Sequence, residues 1–162
     1  VLEQEPQIAA LAPLFARAPY VMFIGRHVGL PIALEGALKL KEISYLHAEG
    51  FPSGEMKHGP IALISDGGPV VALATRGHVR SKVVSNIEQV KGRGAVVLAV
   101  ATEGDTDIKA HADHVVYVPD VHELLYPLLT VLPLQLLAYH VAVELGRDVD
   151  QPRNLAKTVT VE

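Results

Sequence analysis

The 162-residue sequence contains no cysteine and no tryptophan, and aromatic residues make up only 5% of it. Without cysteine, this chain cannot form disulfides, thiolate zinc sites, iron–sulfur clusters or a cysteine nucleophile. The scarcity of aromatic rings argues against a platform on which bases or sugars would stack. The net charge is −4 and no lysine- or arginine-rich run stands out, so we expect no nucleic acid partner and no anionic membrane partner.

Apolar residues are abundant, at 49% against 20% charged residues. This balance excludes a disordered chain, and it favours a subunit interface, which we predict to be that of a homodimer. The stretch 124–143 has no charged residue, but two prolines, Gln135 and His140 interrupt it and no basic cluster flanks it. We therefore predict a buried or interfacial helix there, no membrane span and a cytoplasmic location. Because the first residue is Val1, we read the chain as a piece of a longer protein.

Short continuous apolar runs alternate with helical patterns along the chain, which is typical of strands buried on both faces of a parallel sheet. We predict an α/β three-layer sandwich, in which helices cover both faces of a five-stranded parallel sheet in flavodoxin-like order. Residues 1–145 form this domain, and 146–162 form a C-terminal tail. The predicted strands are 20–24, 47–51, 69–74, 95–100 and 115–118, and the predicted helices are 5–18, 31–46, 79–90 and 121–145.

Three charged residues lie on one stripe of the predicted helix 31–46. Lys39 and Glu42 lie four and seven residues after Glu35, and this spacing brings all three to the same face of a helix. The rest of that helix is mostly apolar. The stripe is therefore either an ordinary exposed salt-bridge pattern or the wall of a partly buried site with a carboxylate base, and spacing alone leaves both open.

Two further segments have both a chemical and an ordinary interpretation. His58 directly precedes Gly59-Pro60, where a helix starts, so it is either a surface histidine or a neutral imidazole suited to proton transfer. The polar tail is either a solvated terminus or a docked segment whose Lys157 reacts with a carbonyl. Among eight histidines, His111 and His114 form the closest pair, and with no second cluster evident we predict no metal site and no cofactor.

Three segments of the sequence resemble the second sugar isomerase (SIS) half of the isomerase module in the glucosamine-6-phosphate synthases. This family is also called glutamine–fructose-6-phosphate aminotransferase (isomerising). The segments are ALEGALKLKEISY at 33–45, EMKHGP at 55–60 and the tail at 148–162, and the resemblance covers essentially the whole chain. It implies an SIS fold and a part in making glucosamine 6-phosphate from fructose 6-phosphate and ammonia that comes from glutamine.

The resemblance also implies catalytic roles. Glu42 matches the base that moves a proton between C1 and C2 of the sugar, and Glu35 and Lys39 match its charged neighbours. His58 matches a histidine that assists ring opening in the other subunit of the dimer. Lys157 matches the lysine that meets the open-chain carbonyl, and Ala156 and Lys157 match substrate-binding positions on a tail that closes the sugar site.

Two departures from the family pattern limit what this chain does alone. The glutaminase domain with its N-terminal cysteine is not in the sequence, so that domain and a preceding SIS domain are expected partners in the parent chain. The loop 75–81 is not the Ser/Thr-rich phosphate-binding turn of that preceding domain. We therefore expect the isolated chain to be a poor catalyst or an inactive one. The alternative is a regulatory SIS module that binds a phosphosugar without turning it over.

Overall fold

The apolar runs of the sequence form the strands of a parallel sheet in the computed structural model, which describes residues 1–155. In these residues five strands are arranged in the order β2-β1-β3-β4-β5, and every neighbouring pair is parallel. This confirms the predicted fold class and strand order. The strands are β1 Val21–Gly25, β2 Ala48–Pro52, β3 Pro69–Ala74, β4 Val96–Thr102 and β5 His114–Val118, and the α-helices are α1 Glu5–Ala9, α2 Ala12–Ala16, α3 Gly29–Ser44, α4 Arg80–Lys91 and α5 Tyr126–Glu144.

Two hydrophobic cores lie on opposite faces of the sheet, as a three-layer sandwich requires. On one face α1, α2, α3 and α5 pack around Phe15, Phe23 and Leu137. On the other face α4 and the short 3-10 helices pack around Met22 and Ile87. Since alternate residues of β1 point to opposite faces, Phe23 and Met22 belong to different cores.

The predicted helix 5–18 is wrong as a single element, because it is two short helices. α1 ends at Ala9 and α2 begins at Ala12, with Pro13 in its first turn. Proline has no N–H to donate to the preceding turn and its ring clashes there, so it starts a new helix more easily than it continues an old one.

Helix α5 contains the uncharged stretch and is a layer of the domain. Residues 123–144 are long and apolar enough to cross a membrane by length and composition, a test that core helices of soluble proteins also pass. Here the helix packs against α1, α2 and α3, and eight of its residues are buried. A 3-10 turn, Glu123–Leu125, precedes it, and Pro127 in its first turn explains why it begins later than predicted.

The outer edge of β5 is covered by side chains from the start of the molecule. The Gln4 amide donates to the Tyr117 carbonyl at 2.6 Å and accepts from the Tyr117 N–H at 2.8 Å. The Gln7 amide donates to the Val115 carbonyl at 2.7 Å. Two glutamine side chains thus supply the hydrogen bonds that a neighbouring strand would make.

Candidate active site

Helix α3 carries the predicted charged stripe at the border between its buried and its exposed face. Alanine, leucine, glutamate and lysine, which all favour helices, make up most of its sixteen residues. The stripe of Glu35, Lys39 and Glu42 lies beside the buried face, and these side chains are 28–38% exposed. The helical spacing thus brings the three residues together, as the sequence predicted.

Lys39 stands between the two carboxylates of the stripe. Its Nζ atom lies 2.7 Å from Glu42 Oε2 and 3.6 Å from Glu35 Oε1. The hydrogen bond to Glu42 raises the pKa of Lys39, and the charges of both glutamates act in the same direction against the opposing effect of partial burial. Lys39 therefore remains a cation that orients the Glu42 carboxylate.

The first part of the tail folds back onto the end of α3. The backbone N–H of Arg153 donates to Tyr45 Oη at 2.9 Å. The guanidinium groups of Arg153 and Arg147 lie 4.2 and 5.2 Å from the centre of the Tyr45 ring, within the range of cation–π attraction. Tyr45 ends the helix in a left-handed conformation, with a φ of 66°, and its N–H still donates to the Lys41 carbonyl. This part of the tail is docked and not merely solvated.

A cleft of about 830 Å³ lies between α3 and the docked tail. Its lining consists of Lys39 and Glu42 on one side and of residues 149–152 and Leu155 on the other. A smaller hollow of about 320 Å³ shares Glu42 and is bordered by Tyr45 and Arg153. These volumes suit a small-molecule ligand, and the arrangement offers it a carboxylate held in place by a cation.

His58 lies apart from the stripe in a single copy of the chain. It closes the 3-10 helix Ser53–His58, and its Nδ1 lies 2.7 Å from Glu55 Oε2. The side chain is 74% exposed, and within residues 1–155 no hydrogen bond or ion pair joins it to α3. Gly59 follows with a φ of 148° and leads into the four-residue 3-10 helix Pro60–Leu63, so the predicted helix start is real but short.

Ala156 and Lys157, the predicted substrate-binding residues, lie outside the described residues. The chain up to Leu155 runs along the cleft that Glu42 borders. Their roles stay predictions.

Comparison with known proteins gives a consistent result over the whole chain. The profile of the SIS domain matches residues 14–145. The chain belongs to the SIS domain family. This SIS chain is 61% identical over its full length to the glutamine–fructose-6-phosphate aminotransferase (isomerizing) of Thermus thermophilus and 57% identical to that of Methanosarcina acetivorans. Each match covers 100% of this chain but only 26–27% of the length of the relative.

A solved structure supports the same placement of this SIS chain within a larger protein. It is the C-terminal domain of glucosamine-fructose-6-phosphate aminotransferase from Francisella tularensis, with a TM-score of 0.85 and 39% sequence identity. The match covers 93% of this chain and 42% of that one. The predicted family is therefore confirmed by sequence and by fold.

Two features of this SIS domain escaped the sequence analysis. One is the contact of Tyr45 with the tail, because Tyr45 and Arg153 are far apart in the chain. The other is a group at the carboxyl ends of the strands, where His27, His78 and Glu123 meet. In the sequence, His27 and His78 lie just after predicted strands, whereas Glu123 lies in the predicted helix 121–145, so no single pattern joined the three. By spacing, His111 and His114 form the closest histidine pair in the sequence, but the structure pairs His111 with Glu88 and Asp107.

Proposed function

We propose that this chain is the second half of an isomerase module that converts fructose 6-phosphate and ammonia into glucosamine 6-phosphate. The observation that carries this proposal is the Glu42 carboxylate, which Lys39 holds at 2.7 Å on the wall of the tail-covered cleft. The names of the relatives and their 53–61% identity over this chain support the same reaction. These names do not support the alternative of a phosphosugar sensor, which is a protein that would need no catalytic base.

In this proposal Glu42 is the general base of the isomerisation. It accepts a proton from C1 of the open-chain sugar and returns it to C2, so that a ketose derivative becomes an aldose derivative. Lys39 keeps the carboxylate in one orientation throughout, because its ammonium group stays charged. Glu35, at 3.6 Å from the same ammonium, fixes the other side of Lys39.

The remaining roles are assigned to His58 and to residues of the tail. His58, exposed and paired with Glu55, would assist ring opening in the site of a second subunit. Lys157 would form an imine with the open-chain C2 carbonyl and release water, and ammonia would then displace the lysine amine from that carbon. Ala156 would lie beside it at the substrate. The tail that begins at Arg147 would close the site against water, and its contact with Tyr45 supports this role.

The proposal needs partners in a longer protein. A preceding SIS domain would bind the phosphate, and a glutaminase domain would supply ammonia. The share of 26–27% that the chain covers in its relatives supports this arrangement. We also propose a homodimer, since His58 has to reach another subunit, and a cytoplasmic location, because a chain without cysteine needs no oxidising compartment to form disulfides. The isolated chain should turn over little or no sugar.

The test is Glu42→Gln in the complete protein that contains this chain. The amide keeps the size of the side chain but removes the base, so we expect turnover to fall by at least about a hundredfold, with KM for fructose 6-phosphate nearly unchanged. Glutamine hydrolysis, measured separately, should persist, and an unchanged thermal unfolding transition should show that the substituted domain is folded. Glu144→Gln, at an exposed carboxylate at the end of α5, is the matched control and should behave as wild type.

Near-normal turnover of the Glu42→Gln protein would remove Glu42 from the mechanism. A wild-type protein that binds fructose 6-phosphate tightly but never consumes it would instead establish the regulatory alternative. The two outcomes are separated by measuring sugar binding calorimetrically on the same samples.

A further inference from the structure

Three loops converge at the carboxyl edge of the sheet, away from the α3 stripe. His27 follows β1, His78 follows β3, and Glu123 begins the 3-10 turn before α5. The strand order β2-β1-β3 makes the gap between β1 and β3 the point where the chain reverses its direction of travel across the sheet. At such a point the loops diverge to opposite faces and leave a crevice, which is where ligands of open α/β sheets bind.

The two histidines turn to the same carboxylate oxygen. His78 Nδ1 lies 3.1 Å and His27 Nδ1 lies 3.6 Å from Glu123 Oε1, and the two rings meet edge to face at 4.8 Å. One donor atom from each residue lies within 4.8 Å of the others. Bonds of about 2.0–2.1 Å to a tetrahedral ion would separate its ligands by about 3.3 Å, which is close to both histidine–glutamate distances. If Glu123 only formed an ion pair with a histidine, one imidazole ring would be enough and the second ring would have no role.

The backbone on both sides of the group is adapted to this arrangement. His27 has a left-handed φ of 52°, which costs free energy for a residue with a side chain. Gly77 has a φ of 154°, and a Cβ atom at this position would lie only 2.6 Å from Glu123 Oε1. The glycine therefore leaves the space that the carboxylate occupies, directly beside His78.

A hydrogen-bonded framework holds the loops that carry the group. The Arg76 N–H donates to Thr102 Oγ1 at 2.8 Å, and its guanidinium pairs with Asp120. Tyr126 Oη donates to Asp120 at 2.9 Å and accepts from Thr102 at 3.0 Å. Arg76 and Asp120 neutralise each other, so the carboxylate of Glu123 leaves the group with a negative charge that favours a cation.

We propose that His27, His78 and Glu123 form a binding site for one divalent transition-metal ion. Two imidazoles and one carboxylate suit Zn²⁺, Co²⁺ or Ni²⁺ rather than Mg²⁺ or Ca²⁺, which prefer oxygen ligands. The side chains of His27 and His78 are 46% and 62% exposed, so the ion reaches the site from solvent and keeps at least one coordination position open. The bound ion would tie the loops after β1 and β3 to the start of α5.

The test measures metal binding to the 162-residue chain itself. Titration calorimetry with Zn²⁺ at neutral pH should show one site, and Co²⁺ should give the visible absorption of a low-symmetry complex with nitrogen ligands. Zn²⁺ should also raise the temperature of unfolding, because it binds the folded chain. His78→Ala and Glu123→Gln should each weaken binding by at least about tenfold, and the double substitution of His27 and His78 by alanine should abolish it.

The matched control is His111→Ala, which removes a histidine that also contacts two carboxylates but lies outside the group of His27, His78 and Glu123. It should leave stoichiometry and affinity unchanged. Thermal unfolding without metal shows whether each variant is folded. Absence of saturable Zn²⁺ binding, or binding that survives in the folded double variant, would overturn the proposal, because the ion would then sit on other histidines.

Discussion

A single lysine organises the charged stripe of this SIS domain. Lys39 contacts both Glu35 and Glu42, and its raised pKa follows from its hydrogen bond to Glu42. The same residue borders the cleft under the tail. Its ammonium group thus belongs to helix α3 and lies at the edge of the cleft that a substrate would enter. Removal of this charge would leave two carboxylates on neighbouring turns without the cation between them.

Asp113 is a second residue whose charge matters, here for stability. Its carboxylate accepts from Lys91 Nζ at 2.6 Å and from the Val97 N–H at 2.8 Å, at the start of β4. Burial alone would raise the pKa of Asp113, but these two hydrogen bonds and the Lys91 charge lower it below its usual value. A lowered pKa in the folded state means that the stabilisation is complete above pH ~4 and is lost as the pH falls.

We therefore expect Asp113→Asn to lower the free energy of unfolding by about 0.5–1 kcal/mol at pH 7, a modest value because the side chain is partly exposed. The difference from wild type should shrink as the pH falls below ~4 and through the lowered folded-state pKa of Asp113, because the wild-type carboxylate becomes protonated only there. Urea unfolding of both proteins at pH 7 and pH 3 measures this. Glu103→Gln is the control at an exposed carboxylate. An unchanged difference at both pH values would contradict the assignment.

At the scale of elements, the contact between α3 and α5 determines where the charged stripe lies. Gly36 faces α5 and β1 from the buried side of α3. A Cβ atom at this position would lie 2.6 Å from Leu134 Cδ1 and 3.0 Å from Phe23 Cε1. The absence of a side chain at Gly36 allows the two helices to approach closely, and Glu35 of the stripe directly precedes this residue.

Gly36→Ala should accordingly destabilise the domain by about 1–3 kcal/mol, even though alanine favours helices more than glycine does. Thermal unfolding of the chain measures the effect. Lys41→Ala, on the exposed side of the same helix, should cost under about 1 kcal/mol, because Lys41 is exposed. Equal losses for the two variants would show that close packing at Gly36 is unimportant.

Elements and their order could be predicted from the sequence because each depends on a local pattern. The continuous apolar runs gave five parallel strands, and helical spacing brought Glu35, Lys39 and Glu42 to one face. The break between α1 and α2 was not predicted, because the helical pattern of 5–18 continues across Pro13. Contacts between distant loops could not be predicted, because neither the helical nor the strand periodicity relates residues that lie in separate loops. The meeting of His27 with Glu123 therefore appeared only in the structure.

At the scale of the whole molecule, the described surface is unusually apolar on α3 and α5. Large hydrophobic side chains are 41–68% exposed there, and they are Leu34, Leu38, Leu128, Tyr139 and Val143. Such a face is suited to a subunit or domain interface. Both helices lie on the same side of the sheet, so one partner could cover them together.

We expect the chain to be a dimer in solution at micromolar concentration and above. Burial of this apolar face supplies the free energy, at about 25 cal/mol per Å² of apolar surface. Light scattering coupled to gel filtration measures the mass. Leu128→Glu with Leu38→Glu should shift the chain to monomer, whereas Lys82→Glu on the opposite face should not. A monomeric mass for the wild-type chain would contradict this prediction.

The glutamine side chains that cover β5 matter for how the protein is made. Gln4 and Gln7 precede β5 in the chain, so they leave the ribosome before that strand does. The newly formed edge therefore meets its cover as soon as it pairs with β4, and it spends little time as a template for strands of other nascent chains. A chain without these two glutamines would lack this cover and would carry an open edge into a crowded cell.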